Sequence, residues 1–224
     1  MHRKKKLTVF CAFAGIFFCG GCGFVGLVGS ESTYEKKIPA EYNLTKQRDK
    51  KILVLVEQPS WLSTQANLRY YLTEAIRASL TAKSKAGIPA KHIISYKELS
   101  NFRSNRSDFS MLSSAEVGRS LGADIVLLVM IEGYQLDEVG GSDYYGGVLK
   151  VQAALFDTAS GEKVWPEYAD SKGVKVNFEA EHGRETADRR LASSCAHCVT
   201  RYFYSCPRNT FKVFDEGSHT GWEE

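Results

Sequence analysis

Two long apolar runs, ILVLV at residues 52–56 and ADIVLLVMI at residues 123–131, restrict the architectures open to this chain. A strand with one wet face alternates apolar and polar side chains, whereas a run without alternation has to be covered on both faces. Both runs are therefore expected as buried strands, the second central in the sheet and parallel to the first. The intervening sequence supplies helical cover. Leu68, Leu72, Ala75, Ile76 and Leu80 recur at helical spacing until Gly87 and Pro89 end the pattern. A short element at residues 92–95 and a brief helix over 96–102 follow.

The best-specified helix start is Ser113, with Glu116 three residues on and Leu112 and Val117 flanking: a capping box with a hydrophobic staple. That helix is expected to end at Gly122. Downstream the periodicity changes to two. Leu149, Val151, Ala153 and Leu155 alternate with polar neighbours, DTASG at residues 157–161 turns the chain into KVW at 163–165, and Val174, Val176 and Phe178 mark another strand. A last helix carries Ala187, Leu191, Cys195, Cys198, Val199 and Tyr202 along one stripe. The expected fold is α/β with α+β character: a mixed sheet with buried central strands, an antiparallel hairpin in the carboxyl-terminal half and covering helices. The domain is assigned to residues 51–205, with 206–224 as a polar tail.

Ahead of the domain the chain opens MHRKKK and then runs without charge through residues 7–18, the n-region and h-region of an export signal. The following CGGC lacks the folded surroundings that a redox motif or a metal site needs. Cys19-Gly-Gly-Cys22 instead resembles a bacterial lipobox, with Cys19 where leucine is usual. The resemblance implies a signal peptide over residues 1–21, acylation of Cys22 and a lipid-anchored tether over residues 22–50. The alternative is an uncleaved inner-membrane anchor over residues 7–29, long enough for a bilayer but crowded with glycine in its second half. Either reading puts the domain outside the cytoplasm. Gly23 is not the aspartate that retains lipoproteins in the inner membrane, which favours the outer membrane, facing the periplasm.

Charge points the same way. Of 29 basic residues, four lie in the leader, and none of the 26 acidic residues does, so the mature chain carries 25 minus 26, or −1. No nucleic-acid partner is expected from that balance.

EVGRSLGADIVLLVMIEGYQ at residues 116–135 and GVLKVQAALFDTASGEKVW at residues 147–165 together resemble exported bacterial α/β domains of the TolB amino-terminal, LpoB and CsgG-like group. The resemblance implies binding to another envelope protein or to a second copy, without catalysis or a cofactor. A structural subunit of a secretion or transport assembly is one alternative, and an envelope hydrolase using Glu179, Glu181 or His182 another.

Three further groups of residues are candidates. Cys195, Cys198 and Cys206 are open to three uses: reduced core thiols, a disulfide in an oxidising compartment, or a metal site. Metal is disfavoured because His197 lies about 200° round the helix from Cys195. The acids and histidine of EAEHGRE, residues 179–185, read more simply as a helix amino terminus. QLDEVGGSDYYGG at residues 135–147 reads as a glycine-rich loop in which Tyr144 and Tyr145 suit a partner contact. Trp61 is a second contact candidate, although burial beneath the following helix is the simpler use.

Overall fold

The computed structural model describes residues 37–62 and 67–211. The chain divides into residues 1–37 and 38–224, and apart from Lys37 the elements described here belong to the second unit. In chain order they are β1 (Lys37–Ile38), β2 (Ile52–Glu57), α1 (Leu68–Thr81), α2 (Tyr96–Ser104), α3 (Ser114–Ser120), β3 (Ile125–Val139), β4 (Tyr144–Asp157), β5 (Lys163–Trp165), β6 (Lys172–His182), α4 (Arg184–Thr200), β7 (Cys206–Pro207) and α5 (Arg208–Phe211).

The main sheet runs β2-β3-β4, and β5 and β6 both pair with β4 on its far side. β2 and β3 are parallel, from Ile52 opposite Ile125 to Glu57 opposite Met130, and every other pairing in this sheet is antiparallel. The expected mixed sheet, with the second apolar run central and parallel to the first, is what the chain forms.

Alternation explains why the apolar runs are unbroken. Ile52, Val54 and Val56 of β2, with Ile125, Leu127 and Val129 of β3, join one cluster with Leu72, Ile76 and Leu80 of α1 and Leu191, Cys195 and Val199 of α4. Leu53, Leu55 and Val126 point the other way and join Leu99 of α2 and Val117 of α3. Each strand thus feeds two cores, which leaves no position for a polar side chain.

Local signals placed the helices. Ser95 caps α2 by accepting the Glu98 amide at 3.2 Å. At α3 the capping box forms reciprocally: Glu116 N donates to Ser113 Oγ at 3.3 Å and Ser113 N donates to Glu116 Oε2 at 2.7 Å. Gly122, at φ +67°, takes the left-handed conformation just beyond that helix.

The domain boundaries lie further out than the sequence suggested. Residues 38–50 were expected in the tether, yet Leu44 is buried in the larger core and Arg48 Nε donates to the Ala86 carbonyl at 3.1 Å. The amides of Glu41 and Tyr42 both donate to the Tyr202 carbonyl. A polar segment can belong to a domain when a few apolar side chains and its backbone groups find partners there, and composition averages those few away. The expected tail contributes as well: Cys206 is buried, and Phe211 packs against the core and edge-on to Tyr202, with ring centroids 5.6 Å apart. Residues 212–224 lie outside the described residues.

A candidate contact element at the end of the long hairpin

Strands of unequal length create the most distinctive surface. β2 accompanies β3 only as far as Met130, whereas β3 continues to Val139 and returns as β4 from Tyr144. Residues 131–139 of β3 therefore run on beyond β2, a rise of about 30 Å at strand spacing. The expected loop at residues 135–147 is instead the end of this hairpin, paired without interruption from Gly133 opposite Lys150 to Val139 opposite Tyr144. Its turn is confined to residues 140–143.

Glycine is required there. Gly140 and Gly141 have φ of +68° and +66°, and Asp143 follows at +57°. Ser142 Oγ donates to the Val139 carbonyl at 2.9 Å, and Asp143 N donates to Glu138 Oε1 at 3.1 Å. The Gly183 amide donates to the Asp143 carbonyl at 2.8 Å, which ties the turn to the junction of β6 and α4. The hairpin is braced further down by Tyr134, whose hydroxyl donates to Asp188 of α4 at 2.5 Å. Burial, and then the Asp188 carboxylate, push the Tyr134 pKa well up, so this phenol stays a donor.

The two tyrosines face opposite ways. Tyr145 packs against the larger core on the α4 side. Tyr144 points to the other face, 46% exposed, beside Val139 at 50% and with its ring 5.3 Å from that of His182. Only Tyr144 of the expected pair is thus presented to solvent in an apolar group. His182 Nε2 lies 3.5 Å from Asp143 Oδ2.

The acids of residues 179–185 are distributed differently from the expected helix amino terminus. Glu179, Glu181 and His182 belong to β6, and only Glu185 enters the first turn of α4. The strand persists because its residues pair with β4 as far as His182 opposite Tyr144. The side chain of Glu179 is outside those described. Glu181 meets Arg190 at 2.5 Å, and that bond holds its carboxyl below the usual range. A general acid needs the opposite shift. Glu185 is likewise held low by Arg189, and Tyr71 donates to it at 3.1 Å.

The cysteines occupy core positions. Cys195 and Cys198 lie in the buried stripe of α4 and Cys206 in β7, all three as buried thiols. Burial raises the Cys195 pKa far above the ordinary thiol range, which suppresses the thiolate. No group of three or more metal-ligating side chains occurs among the described residues. Trp61, a contact candidate whose simpler use was packing under the following helix, is 64% exposed beyond β2, and only Leu62 of its short helical turn is buried. An aromatic ring in sequence carries no signal of which neighbour takes the interior position. Cys22 and the whole leader lie outside the described residues, and among those described no helix is long and apolar enough to cross a membrane.

The arrangement defines an α/β domain with a mixed sheet and an overhanging hairpin. No family model and no curated protein matches the chain. Among solved structures it has a distant likeness to lipoprotein GNA1162 from Neisseria meningitidis, at 19% identity over 65% of this chain and 94% of that one, with a TM-score of 0.41. A PelC dodecamer from Paraburkholderia phytofirmans aligns at 16% identity over 71% of this chain and 90% of that one, TM-score 0.35. The hypothetical protein CT253 from Chlamydia trachomatis aligns at 14% identity over 57% and 72%, TM-score 0.30. Matches at this level define no family.

Proposed function

We propose that this protein is a lipid-anchored component of a bacterial cell envelope whose α/β domain works by binding another envelope protein or a second copy of itself, without catalysis. The observation that carries the binding role is the overhanging hairpin, which holds Tyr144 and Val139 exposed at the end of a braced ribbon. An aromatic side chain on a rigid element loses little entropy when a partner covers it. The anchoring role rests on the export signal and on Cys22 in its lipobox-like setting, where two or more acyl chains would give the stable attachment that one cannot. The sequence resemblance to the TolB amino-terminal, LpoB and CsgG-like group supports the same class of role, and Gly23 supports the outer membrane. Of the carboxylates of a hydrolase reading, Glu181 is engaged with Arg190.

Anchoring is tested by intact mass and fractionation of the wild type beside Cys22→Ser. The expected result is a wild-type mass fitting cleavage before Cys22 plus acyl chains, and a variant that lacks the acyl mass. Uncleaved, unacylated chains in both, differing only by the exchange of sulfur for oxygen, and both held in the membrane would establish a spanning anchor and overturn the lipoprotein reading. Binding is tested with a photo-reactive side chain at position 144 and, as a control on the helical side, at the exposed Met111. Adducts in membranes are expected from position 144 and not from 111. An adduct of twice the chain mass identifies a second copy, and any other mass identifies a distinct partner. Equal yields from both positions would remove the hairpin from the proposal.

A further inference from the structure

Away from the hairpin, the carboxyl end of β2 gathers charged and aromatic side chains that neither the cores nor the proposed binding role uses. Arg103 of α2 reaches Glu57 at 2.7 Å and lies over the Phe109 ring at 4.7 Å from its centroid. Its Nε is shielded from solvent and has no hydrogen-bond partner. Arg69, on the first turn of α1, has the same property: a shielded Nε without a partner, and no ion pair among the described residues. The two cations are close enough to repel each other, and Tyr96 is close enough to favour the charged form of Arg103. Tyr96 in turn stacks edge-on against the half-exposed Tyr70, with centroids 5.1 Å apart.

Arg103 faces the Glu57 carboxylate, and Arg69, near enough to repel it, adds a second positive charge that no carboxylate among the described residues pairs. Burial, and then the Arg69 cation, draw the Arg103 pKa down against the opposing pull of Glu57. A buried donor left unpaired is costly, and two at one place call for an acceptor. The position is the one where open α/β sheets take ligands, outside the carboxyl ends of parallel strands.

We infer that Arg69 and Arg103 hold an oxyanion, a phosphate or carboxylate group of a ligand, at the carboxyl end of β2 beside the Tyr70–Tyr96 pair. The planar fork of arginine presents parallel donors that match two oxygens of such a group. Glu57 keeps Arg103 oriented, and Arg69, which serves no carboxylate among the described residues, is the side chain whose charge the ligand uses.

The test uses the full chain in nonionic detergent, with inorganic phosphate titrated against chloride at constant ionic strength and the thermal midpoint followed. A ligand that binds only the folded state raises that midpoint with concentration. The expected result is a saturable rise for the wild type and an apparent affinity about tenfold weaker or worse for Arg69→Gln, which loses one charge-assisted contact. In chloride alone the midpoint of Arg69→Gln should equal or exceed that of the wild type, since only a repulsive neighbour has been removed. Arg77→Gln, which alters an arginine paired with Glu74 at 2.9 Å on the same helix, should bind as the wild type does. A second arm adds phosphatidylglycerol or phosphatidylcholine to the micelles. Binding to inorganic phosphate that depends on Arg69 identifies a soluble ligand; dependence seen only with phosphatidylglycerol identifies a lipid headgroup. Equal response to phosphate and chloride with no preference for phosphatidylglycerol, or an unchanged affinity in Arg69→Gln, overturns the inference.

Discussion

Replacing Trp165 by alanine should destabilise the domain by about 3–5 kcal/mol and lower its melting temperature by roughly 10 °C. Trp165 is the largest of the fully buried side chains and connects parts of the chain that are distant in sequence. From β5 it pairs with Leu155 of β4. Its ring lies edge-on to Phe203, with centroids 4.9 Å apart, and 5.7 Å from Tyr202. Its Nε1 donates to Glu41 at 2.9 Å. Alanine leaves a cavity and also loosens the segment around Glu41, although Glu41 keeps Lys172 at 2.9 Å. Thermal denaturation with limited proteolysis is the appropriate measurement: cleavage within residues 38–50 should become faster in the variant. Trp165→Phe, which keeps most of the apolar volume and loses the donor, should fall between alanine and wild type. A midpoint within a few degrees of wild type for Trp165→Ala would show that the early segment is held by other contacts.

The second large effect is expected at Gly118, where α3 crosses the sheet. A Cβ there would stand 2.3 Å from Val126 Cγ2 and 2.6 Å from Thr158 Cγ2. Neither neighbour can yield easily, because both are β-branched with restricted χ1. Thr158 is fixed further by donating to the Ala123 carbonyl at 2.6 Å. The helix would have to lift from β3. Gly118→Leu should cost about 3 kcal/mol or more. Gly118→Ala decides the cause by its sign: alanine favours an isolated helix by about 0.8–1.0 kcal/mol over glycine, so a loss of stability measured in denaturant can come only from the close approach. A stabilised Gly118→Ala would mean that the two layers can part at little cost.

Much of this architecture was legible because its signals are local. The unbroken runs at residues 52–56 and 125–131 report burial on both faces, and the spacing of Ser113 and Glu116 reports a helix start without reference to anything distant. The overhanging hairpin was less legible for a physical reason. Tyrosines among four glycines read as a loop, and the pairing that makes them strand is with β3 and with β6, the latter beyond any local window. The candidate contact surface was legible only in part: Tyr144 and Tyr145 were singled out as a pair, but which of them faces water depends on sheet phase. Arg69 and Arg103 carried no signal at all, since 34 residues separate them and each alone looks like an ordinary helix-surface cation.

That phase survives one extra residue. Between Ile131 and Gly133 the register with β4 shifts, leaving Glu132 as an extra residue in β3. Before it, Ile125, Leu127, Val129 and Ile131 supply the larger core; after it, Tyr134 and Leu136 do. The side-chain period of a strand is two, so an extra residue kept in regular alternation would exchange the faces of all that follows, whereas one taken up as a bulge does not. Were Glu132 paired in regular alternation, Gln135 and Asp137 would be turned toward α4, while Tyr134 and Leu136 met water. Deleting it would instead bring Gly133, opposite Lys150, directly after Ile131, opposite Val151, and leave the later faces as they are. The bulge is therefore the place where this strand can hold or lose one residue without turning the hairpin end over.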